Sequence, residues 1–355
     1  MRDIDRIRDA LTAASARGES VVLATVMSVE GSVYRGAGAR MIVCPDGTTL
    51  GAVSGGCLEA DVVARAPDVL AAGVAELVRY DTRATDDVLL GLGMGCQGII
   101  ELLLEPLRGP PLAEAAEFYT RIARRRDAVT LLTLVRSVHG QRIGSRLLVD
   151  AAGHTLEGNV ALLTLGQDVV REDIAPTIGL VICGGGTDAI PLARMAQGMG
   201  WHVTVVDHRA AFATTERFPG IDGVVCINLA HGDETLDARV HLDGRTMAVV
   251  MAHSAVHDRA YLHAMLDAGV AYIGVLGPRR RTLELLGAER PVDDVLVPLS
   301  VHSPAGLDLG AETPHEIALS IVAEIAAVNT GRTGGMLRDR SGPIHDRRPM
   351  HVVAS

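Results

Sequence analysis

The chain has 355 residues, 48% of them hydrophobic and 21% charged, with a formal net charge of -10. This length predicts two domains with ample core, while the acidic balance and the 3% aromatic content argue against base-stacking platforms and against nucleic acid as a partner. No apolar run is long enough for a membrane span, the N-terminus lacks the form of a signal peptide, and the five cysteines include no CxxC pair, so a cytoplasmic protein with reduced thiols is expected.

Ile4, Ile7 and Leu11 share one face of a helix over residues 1–17. A β-branched run from Ser20 to Val29 leads into a loop from Gly31 to Gly38. Ala39 to Cys44 and Thr48 to Val53 read as a hairpin around Pro45-Asp46-Gly47. That hairpin delivers Ser54-Gly55-Gly56-Cys57-Leu58-Glu59. Gly55 and Gly56 let the backbone bend sharply and leave no Cβ in the way of an approaching group. Leu58 to Val63 reads as the first turns of a helix, which puts Cys57 where free amides and the helix dipole favour a thiolate. Glu59 and Asp61 oppose that effect. A reactive or ligating cysteine fits this pattern, and so does a structural one in a tight turn.

After that helix come a strand from Ala75 to Tyr80, the glycine-rich Gly91-Leu92-Gly93-Met94-Gly95-Cys96, and a buried strand from Ile99 to Leu104. Gly95-Cys96 is either a second thiol on approachable backbone or a bulged strand entry. A helix near Leu112 to Arg126 and β-rich runs at Ala128–Ser137 and Arg142–Val149 follow. Together these predict a mixed α+β domain over residues 1–176, with no clear pattern from Asp150 to Pro176.

The second domain, residues 177–330, opens on an apolar strand that runs into Gly184-Gly185-Gly186-Thr187-Asp188-Ala189. A helical pattern then leads to the strand Val203–Val206 and Asp207. Strand, glycine turn, helix, strand and an acid about twenty residues on form the dinucleotide fingerprint of a Rossmann-like, mostly parallel sheet. The functional reading places a phosphate on the helix N-terminus and Asp207 on a ribose; in the alternative the glycines serve close packing alone. A further strand ends at His253, and His257 and Asp258 nearby raise a metal site as a lesser option. Gly277-Pro278-Arg279-Arg280-Arg281 begins a helix, where three arginines oppose the dipole and suggest either an anion or a solvated cluster. Thr313-Pro314-His315-Glu316 caps the last helix. Residues 331–355 read as a disordered tail.

Taken in order, these motifs resemble one family. Gly31-Ser32, Gly38 to Met41, Ser54 to Glu59, Tyr80-Asp81-Thr82 and Gly91 to Cys96 are similar to the N-terminal domain of the XdhC/CoxI family. Gly184 to Gly186, Val206-Asp207, His253, Tyr272-Ile273-Gly274, Gly277 to Arg281 and Gly306 to Pro314 are similar to its C-terminal Rossmann domain. Departures fall at Gln97, Pro278 and Ala305. The resemblance implies a chaperone rather than an enzyme: a maturation factor that binds molybdenum cofactor, as molybdopterin or its cytosine dinucleotide, and protects it. Such a factor assists replacement of an oxo by a sulfido ligand with sulfur from a cysteine desulfurase, and delivers the product to a molybdenum hydroxylase apoenzyme. It also implies that Cys57 and Cys96 ligate molybdenum or relay sulfur, on a surface formed with Gly55, Gly56 and Gly95. Gly184, Gly185, Gly186, Asp207, Arg279 and Arg280 are then expected to hold the phosphate or nucleotide end, and a homodimer is expected.

An NAD(P)-dependent oxidoreductase using Gly184–Gly186 and Asp207 is the competing reading, with His253 the obvious proton donor. The chain contains no lysine, so no Tyr-x-x-x-Lys pair accompanies it. A purely structural partner of the hydroxylase is the third.

Overall fold

Strand β1 (Ser20–Gly31) divides its side chains between two cores. Val21 and Leu23 pack with Ile4, Ile7 and Leu11 of helix α1 (Asp3–Arg17), whereas Val22, Ala24 and Val26 pack with Val62, Ala66 and Val69 of α2 (Glu59–Ala72). Period-two alternation along the buried stretch Val21–Met27 requires this. The strand lies at the centre of an antiparallel sheet of order β3-β2-β1-β5-β4, formed with β2 (Arg40–Val43), β3 (Thr49–Gly51), β4 (Glu76–Asp81) and β5 (Gly98–Arg108). Helix α3 (Pro110–Arg124) packs beside α1. The computed structural model describes residues 3–31, 34–81, 98–230, 234–287 and 297–341, and its backbone divides into two compact units between Pro176 and Thr177.

A second antiparallel sheet completes the N-terminal unit in the order β8-β7-β6-β9, with β6 (Val129–Leu134), β7 (Arg146–Asp150), β8 (Thr155–Gly158) and β9 (Val169–Ile174). The unpatterned stretch from Asp150 to Pro176 thus holds both edge strands and two 3₁₀ turns, Val160–Thr164 and Gly166–Asp168. β8 is mostly exposed and β9 mixes buried and exposed positions out of strict alternation, so neither carries a clear period-two pattern to read.

The C-terminal unit is a six-stranded sheet of order β12-β11-β10-β13-β14-β15, parallel throughout. Its strands are β10 (Gly179–Cys183), β11 (His202–Asp207), β12 (Gly223–Cys226), β13 (Thr246–Val250), β14 (Tyr272–Val275) and β15 (Val301–His302). Helices α4 (Ala189–Gly198) and α7 (Pro314–Thr330) cover one face; α5 (Ala255–Asp267) and α6 (Arg279–Leu285) cover the other. Burial on both faces accounts for the unbroken apolar runs of β10 and β13. This is the Rossmann-like α/β domain, and its strand order reverses between β10 and β13, where such sheets bind ligands. Thr313 and Glu316 form the expected capping box at the start of α7. Residues 331–341 carry a 3₁₀ turn at Leu337–Asp339, and the rest of the expected tail lies outside the described residues. Among the described residues no helix is long and apolar enough to cross a membrane.

Candidate functional site

In the N-terminal unit, the loop between β3 and α2 is closed by two side chains. Ser54 Oγ accepts the amides of Gly56, Cys57 and Leu58, each at 3.1 Å, and donates to Glu59. Glu59 Oε1 accepts the amides of Val53 and Ser54 at 3.2 and 2.8 Å. Val53 and Leu58 are buried and pin the loop at both ends, while Gly55 and Gly56 remain exposed and Cys57 is half-buried. Gly56 has φ +110, a conformation open to glycine, and Gly55 lies under the ring of Tyr34. Burial raises the Glu59 carboxyl, but the Ser54 hydroxyl and the surrounding amides more than offset this and hold it below its ordinary range.

The amides of residues 56–58 are closed on Ser54 Oγ, and an ionised Glu59 lies beside them. What the loop supplies is a Cys57 held in one place on a glycine-lined surface. Gly95 and Cys96 lie outside the described residues. Among the described residues no group of three His, Cys, Asp or Glu side chains forms a metal-binding set.

In the C-terminal unit the three glycines have different jobs. A Cβ on Gly184 would sit 2.5 Å from the Met251 carbonyl, and one on Gly185 would sit 2.4 Å from the Phe212 oxygen; Gly186 has nothing within 4 Å. The first two serve close packing and the third is open. The amides of Gly186, Thr187 and Asp188 engage no acceptor among the described residues, and they open the N-terminus of α4. Arg217 donates to the Gly185 oxygen at 3.1 Å, and its Nε is buried without a hydrogen-bond partner.

Asp207 is fully buried and does not present its carboxylate to a ribose. It accepts the Gly185 amide at 2.7 Å, the Arg209 amide at 2.8 Å, and Arg209 Nε and Nη2 at 2.9 and 2.8 Å. Arg209 lies over the Phe212 ring at 3.7 Å. Burial raises the Asp207 carboxyl, but the Arg209 and Gly185 hydrogen bonds more than offset this and hold it low. A carboxylate with a depressed folded pKa contributes stability that is present above its unfolded value, about 3.9, and lost as the pH falls through the folded value. The C-terminal unit should therefore lose this contribution only below about pH 4. In Asp207→Asn, acid unfolding followed by circular dichroism should lose that component, and an unchanged profile would remove Asp207 as its source.

His253, His257 and Asp258 do not form one cluster. His253, at φ +55, pairs with Asp188 at 3.5 Å. His257 stacks on His208 with centroids 3.6 Å apart. Asp258 is buried, accepting the Ala252 amide at 2.8 Å and the guanidinium of Arg281. The three arginines at α6 separate likewise. Arg281 is spent on Asp258 and the Leu276 oxygen, Arg280 pairs with Glu284, and Arg279 stays exposed. Asp188 and Arg217 are additions to the candidate residues, Asp188 having carried a signal in its place just before the first helical residue of the fingerprint. Ser54 and Glu59, already part of the Ser54–Glu59 motif, gain the role of closing the loop.

Two family models match the chain: the XdhC and CoxI family over residues 14–81 and the XdhC Rossmann domain over residues 180–325. A probable xanthine dehydrogenase subunit of Bacillus subtilis is 33% identical over 322 residues, covering 86% of this chain and 92% of that protein. The molybdenum cofactor insertion chaperone PaoD of Escherichia coli is 26% identical over 320 residues, covering 88% of this chain and 84% of its own. A solved xanthine dehydrogenase structure from Bacillus halodurans superimposes with a TM-score of 0.77 at 27% identity, covering 94% of this chain and 97% of the other. With an N-terminal domain and a Rossmann domain that both match, and a relative aligned over nearly its whole length, the chain belongs to the XdhC and CoxI family.

Proposed function

We propose that this protein is a maturation factor for molybdenum hydroxylases, which binds molybdenum cofactor, keeps it from oxidation, assists its sulfuration and passes it to the apoenzyme. The observation that carries the reading is the Cys57 loop, a thiol immobilised by amide hydrogen bonds to Ser54 and Glu59 beside two exposed glycines. A soft thiol on open backbone suits a soft metal and a flat ligand. The relative named for molybdenum cofactor insertion supports the same role. Taken by itself, the C-terminal unit offers donors that suit a phosphate: the open amides from Gly186 to Asp188 and the unpartnered Arg217 Nε. When bound, the cofactor supplies the redox-active metal. Cys57 would hold or relay at the metal end, with a cysteine desulfurase as sulfur donor.

The oxidoreductase reading is the weaker one, because Asp207 is committed to Arg209 and Gly185 and leaves no carboxylate for a ribose diol.

Anaerobic purification from a host that makes molybdenum cofactor, with metal analysis and fluorescence of oxidised pterin, tests the proposal. Near-stoichiometric molybdenum and pterin are expected, and nucleotide analysis of the same sample identifies the plain or cytosine form. Cys57→Ala and Cys96→Ala should each lower cofactor retention with the fold intact; undiminished retention in both would remove the thiols from the site. Absence of metal and pterin, with tight NAD(P) binding, would transfer the assignment to the oxidoreductase.

A further inference from the structure

The chain has three Phe, five Tyr and one Trp, and all of them except Tyr34 are buried or half-buried; Tyr34 is 74% exposed. Its ring nevertheless lies close over one neighbouring backbone position. Cγ and Cδ1 lie 3.2 and 3.4 Å from the point that a Cβ on residue 55 would occupy, so the ring rests on the bare backbone of Gly55. Gly55 belongs to the loop locked by Ser54 and Glu59, and the half-buried Cys57 follows two residues later. The loop supports part of the ring, and most of its surface is left to solvent.

Aromatic side chains ordinarily bury large areas, and an exposed ring forgoes that gain. A ring left open to solvent against glycine backbone, on the loop that carries Cys57 two residues later, is a platform for another flat ring. We propose that Tyr34 is a ligand-contact residue of the Cys57 loop, stacking on a planar fused heteroaromatic ring. Under the function proposed above, on which the identity of that ring rests, it is the pterin of the cofactor. The low aromatic content that argues against nucleic acid leaves room for this reading, since a strand of bases needs several platforms and one heterocycle needs one. A methyl group on residue 55 would press against the tyrosine ring at about 3.2 Å, so the absence of a Cβ there lets the ring sit close on the backbone.

The test is a fluorescence titration of the full-length apoprotein with free pterin, whose emission is quenched by stacking, alongside the pterin content of protein purified from a cofactor-making host. Tyr34→Phe should match the wild type within about twofold. Tyr34→Ala should bind roughly 5- to 150-fold more weakly, the loss typical of one base on one aromatic ring. Thermal melts of both variants should match the wild type, since the side chain is exposed. Equal binding and equal pterin content in Tyr34→Ala overturn the platform. So does a Tyr34→Phe as weak as Tyr34→Ala, which would assign the effect to the hydroxyl. Wild-type protein that carries cofactor, with Tyr34→Ala carrying as much, sinks the stacking and spares the maturation role. Wild-type protein that carries none, yet binds pterin through Tyr34, does the reverse.

Discussion

Arg40→Ala should be the most damaging single replacement of a charged residue in the N-terminal unit, lowering its melting temperature by about 6–20 °C. Arg40 lies on β2 with only 2% of its surface exposed. Its guanidinium pairs with Glu172 of β9, donates to the Gly38 oxygen at 2.7 Å and reaches the Tyr119 hydroxyl of α3 at 3.2 Å. One side chain therefore ties the first sheet to the second and to a covering helix. Burial works against the charge, but Glu172 and Tyr119 more than restore it. Removing one partner of a buried pair strands the other, at a cost of about 3–5 kcal/mol. In a unit of this size each kcal/mol moves the midpoint by about 2–4 °C. Differential scanning calorimetry of the full chain gives the shift. Arg280→Ala, which removes an exposed pair with Glu284, serves as the control and should leave the midpoint in place. If Arg40→Ala melts like Arg280→Ala, the buried network contributes nothing to stability.

The fold was largely legible in the sequence because its main signals are local. β1, the hairpin around Pro45-Asp46-Gly47, the Gly184–Ala189 turn and the Thr313 cap all rest on neighbouring residues, and the structure has each of them. The edge strands β8, β9, β12 and β15 were not legible, being short or half-exposed and defined by pairing rather than composition. The site was read less well for the same reason. Asp207 was recognisable as the fingerprint acid, but its capture by Arg209 and by the Gly185 amide depends on how the loop after β11 folds back. Ser54 and Glu59 bound the Cys57 motif in the sequence, but they are five residues apart, not the three of a capping box, so no familiar spacing marked their hydrogen bond. Arg281 looks like part of a cluster in the sequence because its partner Asp258 is 23 residues away.

The three fingerprint glycines lend themselves to a second large-effect prediction, because the structure assigns them opposite duties. Gly184 has φ +124, and an added Cβ would lie 2.5 Å from the carbonyl carbon and oxygen of Met251 and 2.6 Å from the Ala252 nitrogen. These are backbone atoms at the end of β13 and cannot swing aside as a side chain would. Gly184→Ala therefore combines backbone strain of about 1–3 kcal/mol with overpacking of about 1–3 kcal/mol. The melting temperature of the C-terminal unit should fall by roughly 4–24 °C. Gly186→Ala meets nothing within 4 Å and has no positive φ to violate, so its melt should match the wild type. Its methyl group would instead stand among the open amides at the start of α4 and reduce retention of a phosphate-bearing cargo. Calorimetry and pterin content measured on both variants separate packing from binding. A Gly184→Ala protein as stable as the wild type would contradict the packing, and a Gly186→Ala protein that retains full cofactor would remove this turn from the binding surface.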